Sequence, residues 1–318
     1  MAWKKVAGHT AWLGRSSAGS HPARLRWPPL ARVPSPPQVS CFENVLLDMS
    51  LEAFDDQYKD CDAKVKANWE APTPLNFTAS KDFESTWQRA TSEWEERKAS
   101  LRDLPSGFQA EHGTAVLAYT SRGSLYRDFN AATRAAGKSS EDYQKHFPFK
   151  RFHFLLTRAV QILGAQGSDC YTTYRGTENV HFQGADAKKQ VRFGQFASSS
   201  LKEGVAQTFG KATFFTIRTC FGVRIRDLSF YLGEDEVLIP PYERFRVVRA
   251  KQENDKISIE LESDGSYSSF NCGRKNGESR GFVSADPRWG CPSPLRALPW
   301  QGGWPPPWQG ELQAASSC

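Results

Sequence analysis

An arginine followed by a glycine stands at the end of a short segment that favours an extended conformation. Tyr171–Arg175 is rich in aromatic and β-branched residues and is predicted to be a strand. The planar guanidinium of Arg175 could hold a phosphate through two parallel hydrogen bonds, and Gly176 would let a ligand approach the backbone closely. The alternative is a surface ion pair. Arg175 is therefore a candidate anion ligand.

Three consecutive serines, Ser198, Ser199 and Ser200, end the segment FGQFASSS. We predict a strand over Val191–Ala197 and a helix over Leu201–Phe209, and we favour the interpretation that the serines cap that helix. No histidine or aspartate stands around them in the pattern of a serine hydrolase. In an active site, their hydroxyls would orient another group.

Two glutamates separated by one residue, Glu234 and Glu236, stand in the segment GEDEVLIPP. If the chain is extended here, the two carboxylates point to the same face, because side chains alternate along a strand. One carboxylate could then stabilise positive charge that develops at a sugar carbon, while the other binds the incoming nucleophile. Taken alone, such an acidic segment is also typical of a solvated turn.

The elements that would position these residues follow the order helices first, strands afterwards, which indicates an α+β fold. Apolar spacing predicts helices over Asp48–Ala71, Lys81–Leu101, Ser124–Ala136 and Lys150–Gly164. The remaining predicted strands are Thr114–Thr120, Ala212–Thr219, Glu236–Ile239, Arg244–Ala250 and Lys256–Glu262. No Gly-x-Gly-x-x-Gly or phosphate-loop motif occurs, so neither a Rossmann domain nor a P-loop enzyme is supported.

The excess of positive charge is confined to the beginning of the chain. Lys and Arg outnumber Asp and Glu by 41 to 35 over the 318 residues, giving a formal net charge of +6. Residues 1–40 contain Lys4, Lys5, Arg15, Arg24, Arg26 and Arg32 and no acidic residue. Because the rest of the chain is balanced, we predict that the folded part does not bind nucleic acid.

The cysteines and a glycosylation sequon favour an oxidising compartment. The 7 cysteines include no Cys-x-x-Cys pair, so we predict no metal site and a few long-range disulfides instead. Asn76 begins an Asn-Phe-Thr acceptor sequon in a polar stretch. Residues 1–40 contain no apolar run long enough for a signal-peptide core, and no membrane-spanning segment is predicted.

The order of the three segments, Arg, then a serine cluster, then Glu-x-Glu, resembles the vertebrate arginine-specific mono-ADP-ribosyltransferases. The resemblance extends from Val45 to Gly273. It is carried by the stretches FDDQYKDC, HFPFKRFHFLLTRAVQILG, TYRG, VRFGQFASSSLK, TFF and EDEVLIPPYERF.

The resemblance implies an N-terminal helical layer packed on a mixed β-sandwich core, with a cleft between two small sheets that binds NAD. Residues 44–284 would be the catalytic domain, divided into a helical part (44–110) and an NAD-binding core (111–284). A disordered basic, Pro-rich arm (1–43) and a disordered Pro/Gly/Trp-rich tail (285–318) would flank it.

The activity implied is transfer of ADP-ribose to arginine in acceptor proteins, with NAD or alternatively NADP as the co-substrate and without a prosthetic group. By resemblance, Arg175 would hold the NAD phosphates and Ser198 would steady Glu236, the catalytic glutamate. Glu236 would stabilise the charge that develops as nicotinamide leaves, and Glu234 would bind the acceptor guanidinium. The alternatives are an NAD glycohydrolase and a catalytically silent NAD-binding surface protein.

Further positions follow from the resemblance alone. Tyr119, Gln195 and Ser229 would line the NAD site, although each could instead serve packing or strand polarity. Cys61 would pair with Cys272 and Cys170 with Cys220, leaving Cys41, Cys291 and Cys318. We expect a monomer in the secretory pathway or outside the cell. Family members begin with a signal peptide and many end in a lipid-anchor tail, so we expect a misassigned start or a soluble form.

Overall fold

The computed structural model describes residues 42–61, 75–101, 104–165, 167 and 169–277. Most of the predicted arm (1–43) and all of the predicted tail (285–318) lie outside the described residues. Cys41, Cys291 and Cys318 lie outside them too.

Helices dominate the first part of the described chain, in agreement with the predicted α+β order. They are α1 (Phe83–Arg97), α2 (Ala110–Thr120), α3 (Leu125–Ala135), α4 (Ser140–His146), α5 (Lys150–Gly164) and, later, α6 (Glu203–Thr208). Short 3₁₀ helices cover Phe77–Ala79, Lys98–Ser100, Arg226–Leu228 and Leu232–Glu234. The predictions of α1, α3 and α5 are confirmed, because one apolar face of each is buried against the core.

The prediction of a strand over Thr114–Thr120 is wrong, because these residues belong to helix α2. Every residue from His112 to Tyr119 is buried, so no polar face reveals a helical period in the sequence. Gly113 faces the indole ring of Trp94 in α1, and a Cβ added there would overlap the ring. The glycine therefore lets α1 and α2 pack closely.

The prediction of a helix over Asp48–Ala71 is also wrong for the described residues 48–61. Tyr58 has a φ of 53°, which interrupts any right-handed helix. Asp55 forms a fully buried ion pair with Arg192, so this stretch is fixed by tertiary contacts instead of local hydrogen bonds. Residues 62–71 lie outside the described residues.

Strands dominate the second part of the described chain. They are β1 (Glu43–Leu46), β2 (Tyr171–Thr177), β3 (Val180–Gln183), β4 (Gln190–Val191), β5 (Ala197–Ser200), β6 (Thr213–Thr219), β7 (Val223–Arg224), β8 (Glu236–Ile239), β9 (Glu243–Glu253), β10 (Lys256–Ser266), β11 (Phe270–Asn271) and β12 (Arg274–Lys275). Eight of them form one mixed sheet in the order β4-β9-β10-β6-β2-β5-β8-β7.

The sheet is narrowest between β2 and β5, which pair only through Tyr174 and Ser200. On one side of this junction, β6 runs parallel to β10 and antiparallel to β2. On the other side, β8 runs antiparallel to both β5 and β7. The resemblance implies two small sheets, but in the structure these strands form one continuous sheet that narrows to a single residue pair at this junction.

Two predictions around the serine cluster are wrong. Instead of one strand over Val191–Ala197, β4 ends at Val191 and β5 begins at Ala197, because Gly194 turns the chain with a φ of 63°. The serines do not cap the next helix, since they lie in β5, and Lys202 occupies the N-cap position of α6 without a side-chain cap.

The chain segment that follows β10 is tied to the segment before α1. The disulfide between Cys61 and Cys272 makes this link. A second disulfide, between Cys170 and Cys220, joins the residue before β2 to the residue after β6. The carboxylate of Asp55 accepts hydrogen bonds from the backbone amides of residues 269 and 270, and that of Asp56 from those of 58, 272 and 273. The two aspartates of the FDD sequence therefore anchor the C-terminal strands.

Candidate active site

A cavity of about 850 Å³ lies at the narrow junction of the sheet. Its walls are formed by β2 and β5, by the facing parts of α2 and α3, and by the loop that leads into β8. Six of the predicted site residues line it: Tyr119, Arg175, Gln195, Ser198, Glu234 and Glu236.

Arg175 is fixed at the floor of this cavity. Its Nη1 donates a hydrogen bond of 2.6 Å to the carbonyl oxygen of Ser198, which links β2 to β5. Burial lowers the pKa of Arg175, but a guanidinium remains charged at neutral pH. Strand β2 continues to Thr177, so Arg175 lies within the strand and not at its end. Gly176 packs so closely against the carbonyl oxygen of Gly210 that no Cβ would fit between them.

Glu236 is a buried carboxylate at the first position of β8, with only 5% of its surface exposed. Burial raises the pKa of Glu236 to about 7, although hydrogen bonds from the hydroxyls of Ser198 and Ser229 lower it. The Oγ of Ser229 lies 3.1 Å from Oε2 of Glu236. Near neutral pH, the site therefore holds a carboxylate that is easily protonated and has two hydroxyl donors.

Ser229 lies behind Glu236 and not in the cavity wall. It is fully buried, and its hydroxyl also accepts a hydrogen bond of 3.1 Å from the backbone amide of Tyr231. The resemblance implies a place for Ser229 in the lining of the NAD site. Its position in the structure suits a residue that orients Glu236.

Glu234 lies nearer the mouth of the cavity, where its side chain is 25% exposed. Its Oε1 lies 3.5 Å from Nη2 of Arg122. Burial raises the pKa of Glu234, and the nearby charge of Arg122 opposes this rise. The carboxylate thus already has a guanidinium as its partner.

The expected geometry of the Glu-x-Glu pair is wrong, although both glutamates reach the cavity. The chain is not extended here: Glu234 ends a 3₁₀ helix, Asp235 is left-handed with a φ of 48°, and Glu236 begins β8. Aspartate tolerates this conformation better than most residues do. A kink, and not strand alternation, therefore directs the two carboxylates to one cavity.

The serine cluster holds this kink in place. Ser199 Oγ donates to the carbonyl oxygen of Val237 at 3.0 Å, and Ser200 Oγ donates to that of Glu234 at 2.6 Å. Ser200 Oγ also accepts a hydrogen bond from the amide of Lys202 at 3.0 Å. The three serines thus have separate partners, because Ser198 faces Glu236 while its two neighbours fix the backbone on either side.

Tyr119 and Gln195 complete the predicted set. The hydroxyl of Tyr119 donates to the carbonyl oxygen of Phe196 at 2.9 Å, and burial raises its pKa to about 12, so it remains protonated. The Oε1 of Gln195 accepts a hydrogen bond from Arg134 of α3. Tyr119 therefore supports the wall from inside, and Gln195 orients an arginine at the rim.

Several cavity residues are not revealed by the sequence, above all Arg122, Arg127 and Arg134. Arg127 and Arg134 lie seven positions apart in α3, on a polar face that the sequence does indicate. A polar helix face is normally solvated, so this signal could not identify a cavity wall. Arg122 lies in the short loop between α2 and α3, where no periodic pattern exists.

Three other features bear on the sequence predictions. Asn76 is exposed, and its Oδ1 accepts a hydrogen bond from Thr78 of the same sequon at 2.7 Å. Across the described residues, no helix combines the length and the apolar character that crossing a membrane requires. No group of three or more His, Cys, Asp or Glu within the same residues is arranged to hold a metal ion.

The cavity places two carboxylates and a guanidinium around one space, so it can stabilise separated charges on a ligand. A buried carboxylate can stabilise a cation that forms beside it, because the surroundings offer little water to screen the interaction. A guanidinium nearby can hold an anionic group of the same ligand. A second carboxylate at the mouth can receive a cationic group from outside the protein.

Comparison with known proteins gives one consistent answer. Residues 47–269 match the family model of NAD:arginine ADP-ribosyltransferases. The human GPI-linked NAD(P)(+)–arginine ADP-ribosyltransferase 1 is 42% identical over 72% of this chain and 74% of its own length. The erythroblast NAD(P)(+)–arginine ADP-ribosyltransferase of Gallus gallus is 41% identical over 83% of this chain and 87% of its own length.

Solved structures agree with the sequence matches. A mutant of the eukaryotic mono-ADP-ribosyltransferase ART2.2 in complex with NADH superposes with a TM-score of 0.61 at 38% identity. The match covers 72% of this chain and 98% of that structure. A second crystal structure of ART2.2 superposes with a TM-score of 0.60 at 37% identity, with the same coverage.

Proposed function

Because the chain belongs to the NAD:arginine ADP-ribosyltransferase family, we propose that it transfers ADP-ribose from NAD to the guanidinium of arginine in acceptor proteins. Nicotinamide is the leaving group, and NAD or NADP is a co-substrate that binds and departs. The relatives at 41% and 42% identity carry this activity in their names. The catalytic domain would comprise residues 44–284.

The single observation that supports the chemistry best is the position of Glu236. It is buried at the junction of the sheet, receives hydroxyl hydrogen bonds and lies in the same cavity as Arg175. An enzyme that cleaves a glycosidic bond to a cationic leaving group needs a negative charge beside the sugar, because positive charge moves onto the sugar. A buried carboxylate meets this need.

In the proposed reaction, Arg175 binds the diphosphate of NAD and fixes the nicotinamide ribose beside Glu236. The bond between the ribose C1 and the nicotinamide nitrogen breaks, and its electron pair leaves with nicotinamide, which becomes neutral. Glu236 stabilises the cationic ribose that remains. Ser198 and Ser229 orient the carboxylate through the hydroxyl contacts described above. At the rim, Gln195 and its partner Arg134 provide further contacts for the anionic part of NAD.

Glu234 would receive the acceptor arginine. Its carboxylate can orient a guanidinium and take up the proton that is lost when a guanidinium nitrogen forms the new bond to C1. The proton then passes to solvent, because the Glu234 side chain is partly exposed. If water occupies this place instead, the same site hydrolyses NAD.

The decisive experiment incubates purified protein with NAD and an arginine-containing acceptor and analyses the acceptor by mass spectrometry. Wild type is expected to add one ADP-ribose to arginine, and Glu236→Gln is expected to lose both transfer and NAD hydrolysis. Glu234→Gln is the matched variant, since it removes the other carboxylate of the Glu-x-Glu pair. It should lose transfer while it continues to release nicotinamide.

The proposal is wrong if folded wild-type protein neither modifies arginine nor releases nicotinamide from NAD. Nicotinamide release without arginine modification, in wild type, would instead assign NAD hydrolysis as the activity. Binding of NAD without any turnover would favour the silent NAD-binding protein.

We also propose that the protein functions in the secretory pathway or at the cell exterior. The human relative is named GPI-linked, and another relative, from Bos taurus, is named an ecto-ADP-ribosyltransferase at 41% identity. Two disulfides and the exposed Asn76 sequon suit an oxidising compartment. Expression in a secreting cell line should yield a protein whose mass falls on enzymatic deglycosylation, and Asn76→Gln should abolish that difference.

A further inference from the structure

The loop between α2 and α3 is fixed at both of its ends. At the first end, Arg89 donates a hydrogen bond to the hydroxyl of Ser121. At the second, Asp82 accepts hydrogen bonds of 2.7 Å from both the amide and the hydroxyl of Ser124. The intervening backbone therefore has little freedom, and Arg122 extends from a defined position.

Arg122 extends toward the mouth of the cavity and touches the loop that carries the glutamates. Its guanidinium carbon lies 4.3 Å from the centre of the Tyr231 ring, and its Nη2 lies 3.5 Å from Oε1 of Glu234. The guanidinium thus meets the face of an aromatic ring and a carboxylate at once. These are the two contacts that a planar cation binds best.

The same two contacts would serve the arginine of an acceptor protein. In the proposed function, Glu234 receives the acceptor guanidinium, and Tyr231 lines the cavity beside it. Arg122 and the arginine of an acceptor would therefore compete for the carboxylate of Glu234. The Arg122 side chain is 73% exposed, so water can solvate it when it leaves Glu234.

We propose that Arg122 is a resident guanidinium that occupies the acceptor subsite formed by Glu234 and Tyr231, and that each acceptor arginine must displace it. Arg122 thereby becomes a specificity-determining residue of the transfer reaction. It keeps the carboxylate paired between turnovers and weakens the binding of any guanidinium that cannot compete. This inference rests on the proposed function, because only there is Glu234 the acceptor carboxylate.

Arg122 should weaken acceptor binding only moderately. An exposed ion pair and an exposed cation–π contact together contribute little enough that removing them should strengthen acceptor binding about three- to tenfold. The effect should appear as a lower KM for the acceptor. The binding of NAD deeper in the cavity, at Arg175 and Glu236, involves other contacts and gives an internal reference.

The test measures the KM of Arg122→Gln for N-acetylarginine methylamide, a small acceptor with a single guanidinium. The expected result is a KM about three- to tenfold below that of wild type. Arg122→Lys keeps the charge but loses the planar group that stacks on Tyr231. Its KM should therefore lie between those of wild type and Arg122→Gln. The matched control is Arg224→Gln, because Arg224 pairs with the adjacent Asp235 at 2.7 Å and not with Glu234.

The control decides whether the effect is specific to Arg122. An equal reduction of the KM in Arg224→Gln would overturn the proposal, since it would reflect only the loss of positive charge near the mouth. An unchanged KM in Arg122→Gln would overturn it too. A raised KM would also do so and would assign Arg122 to acceptor binding itself.

A second measurement separates this inference from the proposed function. Titration of N-acetylarginine methylamide, followed by NMR in the Glu236→Gln background, needs no turnover. Tighter binding after the additional Arg122→Gln change supports displacement, whereas equal or absent binding overturns it. If wild type transfers no ADP-ribose at all, the proposed function fails, and the titration still decides whether Arg122 competes with guanidines for Glu234.

Discussion

At the residue scale, the cavity contains a buried acid, Glu236, on which the proposed reaction depends. Glu236 is nearly inaccessible, and the cost of removing its charge from water raises its pKa to about 7. The hydroxyls of Ser198 and Ser229 offset part of that cost by donating to the ionised form. A carboxylate so placed is useful only when ionised, because the proposed reaction requires a negative charge beside the sugar. Its titration should therefore govern both activity and stability.

The pH dependence of kcat/KM for NAD should follow the ionisation of Glu236. The raised pKa of about 7 means that activity rises by about tenfold between pH 6 and pH 8. Steady-state kinetics across this range would measure it. Ser229→Ala removes a donor to the ionised carboxylate and should move the midpoint upward by about half a unit to one unit. A profile that is flat, or unmoved by this change, contradicts the assignment.

The same residue should make the folded protein less stable at neutral pH and above than at acidic pH. Because the pKa of Glu236 is higher in the folded protein than its ordinary 4.5, folding favours the protonated form. The resulting penalty is absent below pH 4.5, grows as the pH rises and is complete above about pH 7. It amounts to about 3 kcal/mol.

Glu236→Gln should therefore stabilise the protein more at about pH 8 than at about pH 5. Thermal or denaturant unfolding of wild type and variant at both pH values measures the difference. Glu262→Gln is a suitable control, since the side chain of Glu262 is 42% exposed on β10 and pairs with Arg246. An equal gain in the free energy of unfolding at both pH values would contradict a raised pKa of Glu236 in the folded protein.

At the element scale, the loop from Ser229 to Glu236 positions both glutamates of the cavity. It contains a 3₁₀ turn and the left-handed Asp235, yet both glutamates reach one cavity. Strand β5 makes this possible, because Ser199 and Ser200 bind backbone oxygens of the loop and of β8. Asp235 adds an ion pair with Arg224. The loop is therefore held by the neighbouring strand as well as by its own turn.

Ser200→Ala should uncouple arginine transfer from NAD cleavage. The change removes the hydroxyl that binds the carbonyl oxygen of Glu234, so the loop that presents this carboxylate gains freedom. We expect the ratio of transfer to NAD hydrolysis to fall several-fold, as measured by acceptor modification and nicotinamide release in one assay. The matched variant is Ser199→Ala, which removes a similarly buried hydroxyl bound to Val237 instead. Equal ratios in the two variants would contradict this function of Ser200.

At the scale of the whole molecule, parts of the chain that are distant in sequence are joined to each other. The disulfide between Cys61 and Cys272 spans 211 residues, and that between Cys170 and Cys220 spans 50. The buried carboxylates of Asp55 and Asp56 reinforce the longer link through backbone amides of residues 269 to 273. The first and the last segments of the described domain are thus held together by one disulfide and by buried hydrogen bonds.

Removal of the longer disulfide should cost more stability than removal of the shorter one. A closed loop restricts the unfolded chain more when it is longer, and the two loop lengths imply a difference of about 1 kcal/mol. The comparison is between Cys61→Ser/Cys272→Ser and Cys170→Ser/Cys220→Ser, each unfolded in denaturant under non-reducing conditions. A greater loss in the second pair would contradict the loop-closure argument.

Much of the fold could be predicted because some segments are buried on one side only or form short β-branched runs. Helix α5 and strands β6 and β8 agree with their predictions, since apolar residues there recur at the period of the element or follow one another in a short run. Helix α2 is hidden because it is buried all round, so its period does not show. The strand predicted over Val191–Ala197 fails because Gly194 turns the chain, which periodicity alone does not reveal.

The order of residue types along the chain was enough to predict which side chains line one cavity: Arg175, the serine cluster and the two glutamates. How they meet depends on the folded arrangement. It gives each serine a separate partner, sets Ser229 behind Glu236 and brings Arg122 to Glu234. These contacts join segments that are far apart in the chain. They depend on tertiary packing and on the burial of charge, which the local periodicity of a sequence does not reveal.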